Sequence, residues 1–211
     1  MKFITAALTA SIASALTVLE QEVDPNCTIS LTDGSTLTVY YDTAADHIIM
    51  DARILDGSFA GFGWGASMQD TEMVIFSANG DSSALETYYG IGTVKPMEDD
   101  AMAACYETKI TKGDDGYINF LTTRGLDCDA TDYSGGSYVV ALDTELSLIS
   151  SWNPKNPQLS YHGKNKIEFK QTLGSDGKCA GVGIAPEQPA DGIFSDDVTQ
   201  WIQNQFSNLF Q

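Results

Sequence analysis

The sequence predicts an all-β fold, an antiparallel β-sandwich with a short C-terminal helix, and three observations carry that prediction. From residue 27 onward, short apolar or alternating runs recur between clusters of Gly, Asp, Asn and Ser, the pattern of strands joined by turns. Helical periodicity is almost absent before residue 195, so the core has to come from sheets. Alternation is clean in His47–Leu55, where Ile48, Met50, Ala52 and Ile54 share one face and His47, Asp51 and Arg53 the other.

The N-terminus reads as a secretory signal peptide over residues 1–15. Lys2 supplies the positive end, Phe3 to Ala13 is mostly apolar, and Ala13-Ser14-Ala15 is a small-x-small cleavage site. The apolar run is shorter than the roughly 20 residues a membrane span needs. Export to an oxidising, extracellular setting follows, and the remainder suits one domain.

Strands are expected in order at Thr28–Leu31 and Thr36–Tyr41, flanking the hairpin signal Asp33-Gly34-Ser35. His47–Leu55, Ser58–Trp64, Met73–Ala78, Ala84–Tyr89, Ala104–Thr111, Tyr117–Arg124, Tyr138–Leu142, Leu146–Trp152 and Lys166–Leu173 follow. Lys95–Ala103, with Pro96 and the acids Glu98, Asp99 and Asp100, reads as a loop. Residues 27–174 therefore form the sandwich. Residues 175–194, rich in Gly and Pro, read as a linker. Ser195, Asp196 and Asp197 then make a helix start. Val198, Trp201, Ile202, Gln205, Phe206 and Leu209 recur at helical spacing over 195–211, an apolar stripe suited to docking on the sandwich. That helix carries no Lys or Arg, so an anionic membrane gains no pull on it, and no transmembrane segment is expected.

The four cysteines, Cys27, Cys105, Cys128 and Cys179, allow three disulfide connectivities. Spacing favours Cys105–Cys128 across the turn Gly113–Gly116, which leaves Cys27 and Cys179 to tie the ends of the domain. With no CxxC pair and two histidines, zinc–thiolate binding is disfavoured. Acidic residues outnumber basic ones 29 to 11, a formal charge of −18 that repels nucleic acid and favours cationic or neutral partners. The same charge also serves plain solubility. Asn26-Cys27-Thr28 is a glycosylation sequon.

Two histidines limit the chemistry. No GxSxG elbow accompanies them, which disfavours a serine hydrolase. His47 lies in a strand on its polar face, the place of a surface residue. His162 sits in the strand-end loop Pro157–Lys164, followed at once by Gly163. The second singular residue is Met68. Gly61-Phe62-Gly63-Trp64-Gly65 opens a stretch whose glycines let a bulky group approach the backbone, and the apolar strand Met73–Phe76 closes it. Between them, Met68 lies among polar residues, presented rather than packed, whereas Met73 falls inside the apolar strand and reads as core. A thioether and an imidazole form an axial pair for haem iron, in which the soft sulfur favours the ferrous state. Phe62, Trp64, Trp152, Leu159 and Tyr161 lie near the two candidates in sequence and would cover a porphyrin, although Phe62 taken singly reads as core.

At these residues the chain resembles the DOMON domain family. The resemblance rests on Gly61–Met68 running into Glu72-Met73-Val74-Ile75, on Phe120-Leu121-Thr122-Thr123-Arg124-Gly125-Leu126, and on Ser150-Ser151-Trp152 followed by Tyr161-His162-Gly163. It implies an immunoglobulin-like antiparallel β-sandwich that binds either b-type haem (haem b) or sugars. It implies Met68 and His162 as the axial metal ligands, with Arg124 placed to pair with a haem propionate. Family members are often joined to a membrane-spanning cytochrome or a flavin dehydrogenase, and neither occurs in these 211 residues, so the redox partner is unidentified.

The reading that results is a secreted one-electron carrier, not an enzyme by itself. The alternative is a carbohydrate-binding module in which Trp64, Tyr88, Tyr89, Trp152 and Tyr161 stack on sugar rings.

Overall fold

A computed structural model describes residues 23–128, 130, 138–160 and 162–181. The expected signal peptide, most of the expected linker, the C-terminal helix and Tyr161 lie outside the described residues. The strands, in chain order, are β1 (Thr28–Ser30), β2 (Thr36–Asp42), β3 (His47–Leu55), β4 (Ser58–Trp64), β5 (Gln69–Ala78) and β6 (Ala84–Ile91). Then come β7 (Met97–Glu98), β8 (Tyr106–Lys112), β9 (Tyr117–Arg124), β10 (Glu145–Asn153), β11 (Lys166–Leu173) and β12 (Cys179–Gly181). Two sheets result, one five-stranded in the order β1-β2-β3-β9-β8 and one seven-stranded in the order β12-β11-β10-β4-β5-β6-β7. Every pairing is antiparallel, so the predicted sandwich architecture holds.

The sheets pack on their inward faces. The five-stranded sheet contributes Leu37, Val39, Ile48, Met50, Ala52, Ile54 and Phe120, and the seven-stranded sheet contributes Phe62, Trp64, Val74, Phe76, Leu148 and Trp152. The β3 alternation seen in the sequence is the one that points inward, and all four of its residues are fully buried. Phe76 meets Phe120 edge-on across the interface, with ring centroids 5.4 Å apart.

One charged pair crosses this interior. Glu72 of β5 accepts from Arg124 of β9 through both oxygens, Nε to Oε1 at 2.8 Å and Nη2 to Oε2 at 2.9 Å. The side chains are 1% and 0% exposed, so water competes for neither. Such a pair survives burial only when its remaining donors and acceptors are met, and here they are. Glu72 also accepts from the Tyr106 hydroxyl and from the Tyr138 amide. Arg124 donates to the carbonyls of Gly125, Leu126 and Tyr138. Burial, and then the Glu72 carboxylate, push the Tyr106 hydroxyl well above its ordinary pKa, which keeps it a donor.

The structure departs from the sequence expectations in four places. Inside the expected loop Lys95–Ala103, Met97–Glu98 pairs with Tyr88 and Tyr89 as the short edge strand β7. Tyr138–Leu142 is not a strand. The Tyr138 amide and carbonyl are taken by Glu72 and Arg124, and those groups are therefore unavailable to a ladder. β5 begins at Gln69 rather than Met73, with a bulge between Gln69 and Thr71 at Asp70, whose φ is +52°. Within the expected linker, Cys179–Gly181 forms the edge strand β12, held by a disulfide to Cys27. The second disulfide joins Cys105 to Cys128, and the Cα separations are 5.2 and 5.6 Å respectively. Asn26 is exposed beside the bridged Cys27.

Removing the cation from the buried pair strands the Glu72 carboxylate. Arg124→Ala is therefore expected to lower the unfolding free energy by about 3–5 kcal/mol, measured by urea denaturation. An equivalent change at the exposed Arg53, which pairs with Asp115, costs far less.

Candidate functional site

The outward face of the seven-stranded sheet carries a second apolar cluster. Phe59, Met73, Ile75 and Tyr88 are buried there, with Met68, Ile149 and Leu159 packed against them. Strand parity explains the set. In β4, Phe62 and Trp64 point inward, so Gly61 and Gly63 fall on the outward face; in β5, Glu72 and Val74 point in, so Met73 and Ile75 point out. The two glycines leave the central strand bare. A Cβ at Gly61 would lie 2.8 Å from Ile75 Cδ1, and one at Gly63 would lie 2.7 Å from Ile149 Cγ1. The neighbouring side chains lean over the glycines and make a flat apolar floor.

Two walls rise from this floor. The first joins the β4–β5 connection to the stretch Gly92–Pro96, tied by the Gly92 amide donating to the Met68 carbonyl at 3.0 Å. Thr71 Oγ1 donates to the Ser67 carbonyl and bends the connection back over the sheet. Gly90 is part of the same joint, because a Cβ there would overlap the Met68 carbonyl. The second wall is the β10–β11 loop. Ser77 Oγ donates to the Pro157 carbonyl at 2.7 Å and pins the loop to the floor strand β5. The loop ends in a turn in which Asn165 donates to the His162 carbonyl at 3.0 Å, with Gly163 at φ +63°.

Between the walls is a cavity of about 970 Å³, at the upper end of the range for small-molecule and cofactor sites. Met68 and His162 both line it, as do Met73, Ile75, Ile149 and Leu159. The His162 side chain is half-buried. Burial first, and the Lys166 ammonium second, hold its imidazole below the usual histidine range, while a backbone hydrogen bond at Gly163 opposes them. A neutral ring nitrogen is what a metal requires of histidine. A soft sulfur, a neutral imidazole and a flat apolar floor suit a haem, and the residues present fit that group. Among the described residues, no cluster of three or more His, Cys, Asp or Glu could hold a metal ion.

Other expected site residues lie elsewhere. Trp64 is fully buried between the sheets, where its indole donates to the Tyr106 hydroxyl at 3.2 Å and stacks on Tyr138. Trp152 is in the same interior and donates to Thr32 Oγ1 at 3.0 Å. Neither ring lines the cavity. Arg124 is consumed by Glu72 and three carbonyls, so it has no hydrogen-bonding capacity left for a ligand carboxylate. Phe62 borders the cavity, but its ring packs edge-on to Trp64 at 4.9 Å, in the core as expected. Met73 is buried, as its apolar run implied, yet it faces the cavity and not the space between the sheets. Among the described residues, the aromatic rings of the sugar-binding alternative do not form an open platform: Trp64 and Trp152 lie between the sheets, Tyr88 is buried in the outward-face cluster and Tyr89 packs with Met102 and Cys128, each no more than 5% exposed. His47 is exposed in β3. Sequence reasoning missed Lys95 and Lys166, which line the cavity, and Gly90 of β6 with Gly92 just beyond it, which together seat Met68.

No family model matches the chain, and no curated protein matches it. Among solved structures it is similar to the cytochrome domain of cellobiose dehydrogenase from Myriococcum thermophilum. The two share 15% identity and a TM-score of 0.52, over 75% of this chain and 82% of that one. It also matches the cytochrome b domain of pyranose dehydrogenase from Coprinopsis cinerea, at 12% identity and a TM-score of 0.47, over 65% and 76% of the two chains. The first likeness is one of fold.

Two predictions follow from this geometry. Gly90→Ala is expected to expel the Met68 carbonyl, abolish slow hydrogen exchange at the Gly92 amide and cost roughly 1–3 kcal/mol, read by exchange and urea denaturation. An NMR titration of the His162 ring is expected to give a midpoint below 6.5, and Lys166→Gln to move it upward. With the folded value depressed, the unfolded chain binds more protons, so the fold loses stability as pH falls from 6.5 through the folded midpoint.

Proposed function

We propose that this chain is a b-type haem protein of DOMON type that carries single electrons, with Met68 and His162 as the axial ligands. The observation that carries the proposal is that two donors far apart in sequence, on different loops, line one cavity. The sandwich, the glycine floor and the likeness in fold to a cytochrome domain support it.

Each part of the chain has a task in this reading. Met68 offers a sulfur that does not titrate, from a connection anchored at Gly90 and Gly92. His162 offers an imidazole kept neutral by burial and by Lys166, on a loop fixed to β5 through Ser77. Ile75, Ile149 and Leu159 exclude water from the floor. Bound there, the haem supplies a one-electron ferric/ferrous couple. Were Met68 and His162 both to hold the iron, they would leave no position for oxygen, and the chain would transfer electrons without being an enzyme by itself. Export fits the signal-like N-terminus and the two disulfides. No helix of the described residues is long and apolar enough to cross a membrane. The charge of −18 points to a redox partner with a cationic face.

The test is an absorbance spectrum of the protein produced with haem supplied. A sharp Soret band that shifts on reduction with dithionite is the expected result, and a colourless protein refutes the proposal. His162→Ala is expected to weaken haem retention more than Met68→Ala, because imidazole is the stronger donor.

A further inference from the structure

A haem carries two propionate carboxylates, and Arg124, committed to Glu72 in the core, cannot meet them. Three charged side chains other than His162 line the cavity: Lys95, Lys166 and Glu168. Lys95 belongs to Gly92–Pro96, the wall that seats Met68, and Lys166 opens β11, beside the turn that carries His162. Both lysines are exposed, and neither makes an ion pair among the described residues. We propose that Lys95 and Lys166 form a two-point clasp for a ligand bearing two carboxylates, one drawn to each wall.

The clasp rests on the haem reading and extends it to residues that reading does not use. A lysine is a point charge on a flexible apolar stem, so it meets a carboxylate at the cavity mouth without the fixed fork of an arginine. Local cations matter more here than in a neutral protein. A chain of charge −18 repels a dianion at long range, and only short-range attraction at the mouth offsets that repulsion. Glu168 lies on the same face of β11 as Lys166, two residues on, and its like charge works against a carboxylate there, so the lysines have to outweigh it.

The experiment compares retention of ferric protoporphyrin IX with that of its dimethyl ester, by absorbance titration of the full chain. Wild type, Lys95→Gln, Lys166→Gln and the double variant are each titrated. Both ligands carry the same iron, so the ratio of their affinities cancels any effect of Lys166 on His162. Wild type is expected to hold the free acid about fivefold to tenfold more tightly than the ester at low salt. That preference is expected to shrink in each single variant and in about 1 M salt, and to vanish in the double variant. Equal retention of acid and ester by wild type overturns the clasp, as does a preference that survives in the double variant. Failure to bind either porphyrin overturns the haem reading itself and the clasp with it, a pattern distinct from the other two.

Discussion

The buried bidentate pair between Glu72 and Arg124 is the interaction on which the rest of this structure depends. It joins the two sheets at the strands that matter most, because Glu72 stands beside Met73 in β5, and its cross-strand neighbour Trp64 stands beside Gly63 in β4. Every second residue of these strands is therefore fixed in the interior, and the residues between them are presented on the cavity floor. The pair also organises the chain around itself. Tyr106, Trp64 and Tyr138 are gathered by hydrogen bonds and ring stacking, and both Glu72 oxygens and the Arg124 nitrogens are satisfied. Apolar residues of similar volume could give comparable stability. What the ionic pair adds is register, since a one-residue slip of β5 would place Met73 inward and a carboxylate on the floor.

Much of the fold was legible in the sequence because alternation and turn residues report directly on strands. Tyr117–Arg124 and Lys166–Leu173 were bounded correctly from such signals alone. Tyr138–Leu142 has the same apolar composition and is not a strand. Its backbone is drawn to a carboxylate and a guanidinium from distant strands, which no local pattern records. Residues 179–181 looked like linker because Gly and Pro surround them, and a covalent tie to Cys27 overrides that composition.

For the site, Met68 and His162 stood out as polar-context residues on loops, and the fold brings both to one cavity. The misplacement of Trp64 had a signal that parity could have supplied. If Gly61 and Gly63 face a ligand, Trp64 has the opposite parity and must face the core; Arg124 shares the parity of Phe120 and Thr122, both fully buried. Lys95 was invisible for another reason. Its place on the cavity wall is set by the contact between Gly92 and Met68, a meeting of two turns that neither segment announces.

The bridge between Cys27 and Cys179 has a mechanical meaning. Nearly the whole sandwich lies between these two residues, and their α-carbons are 5.2 Å apart. A stretching force applied through the flanking segments would pass across the sulfur–sulfur bond and leave the strands in between unloaded. Under shear the domain would hold as a rigid bead, its cavity shielded from tension.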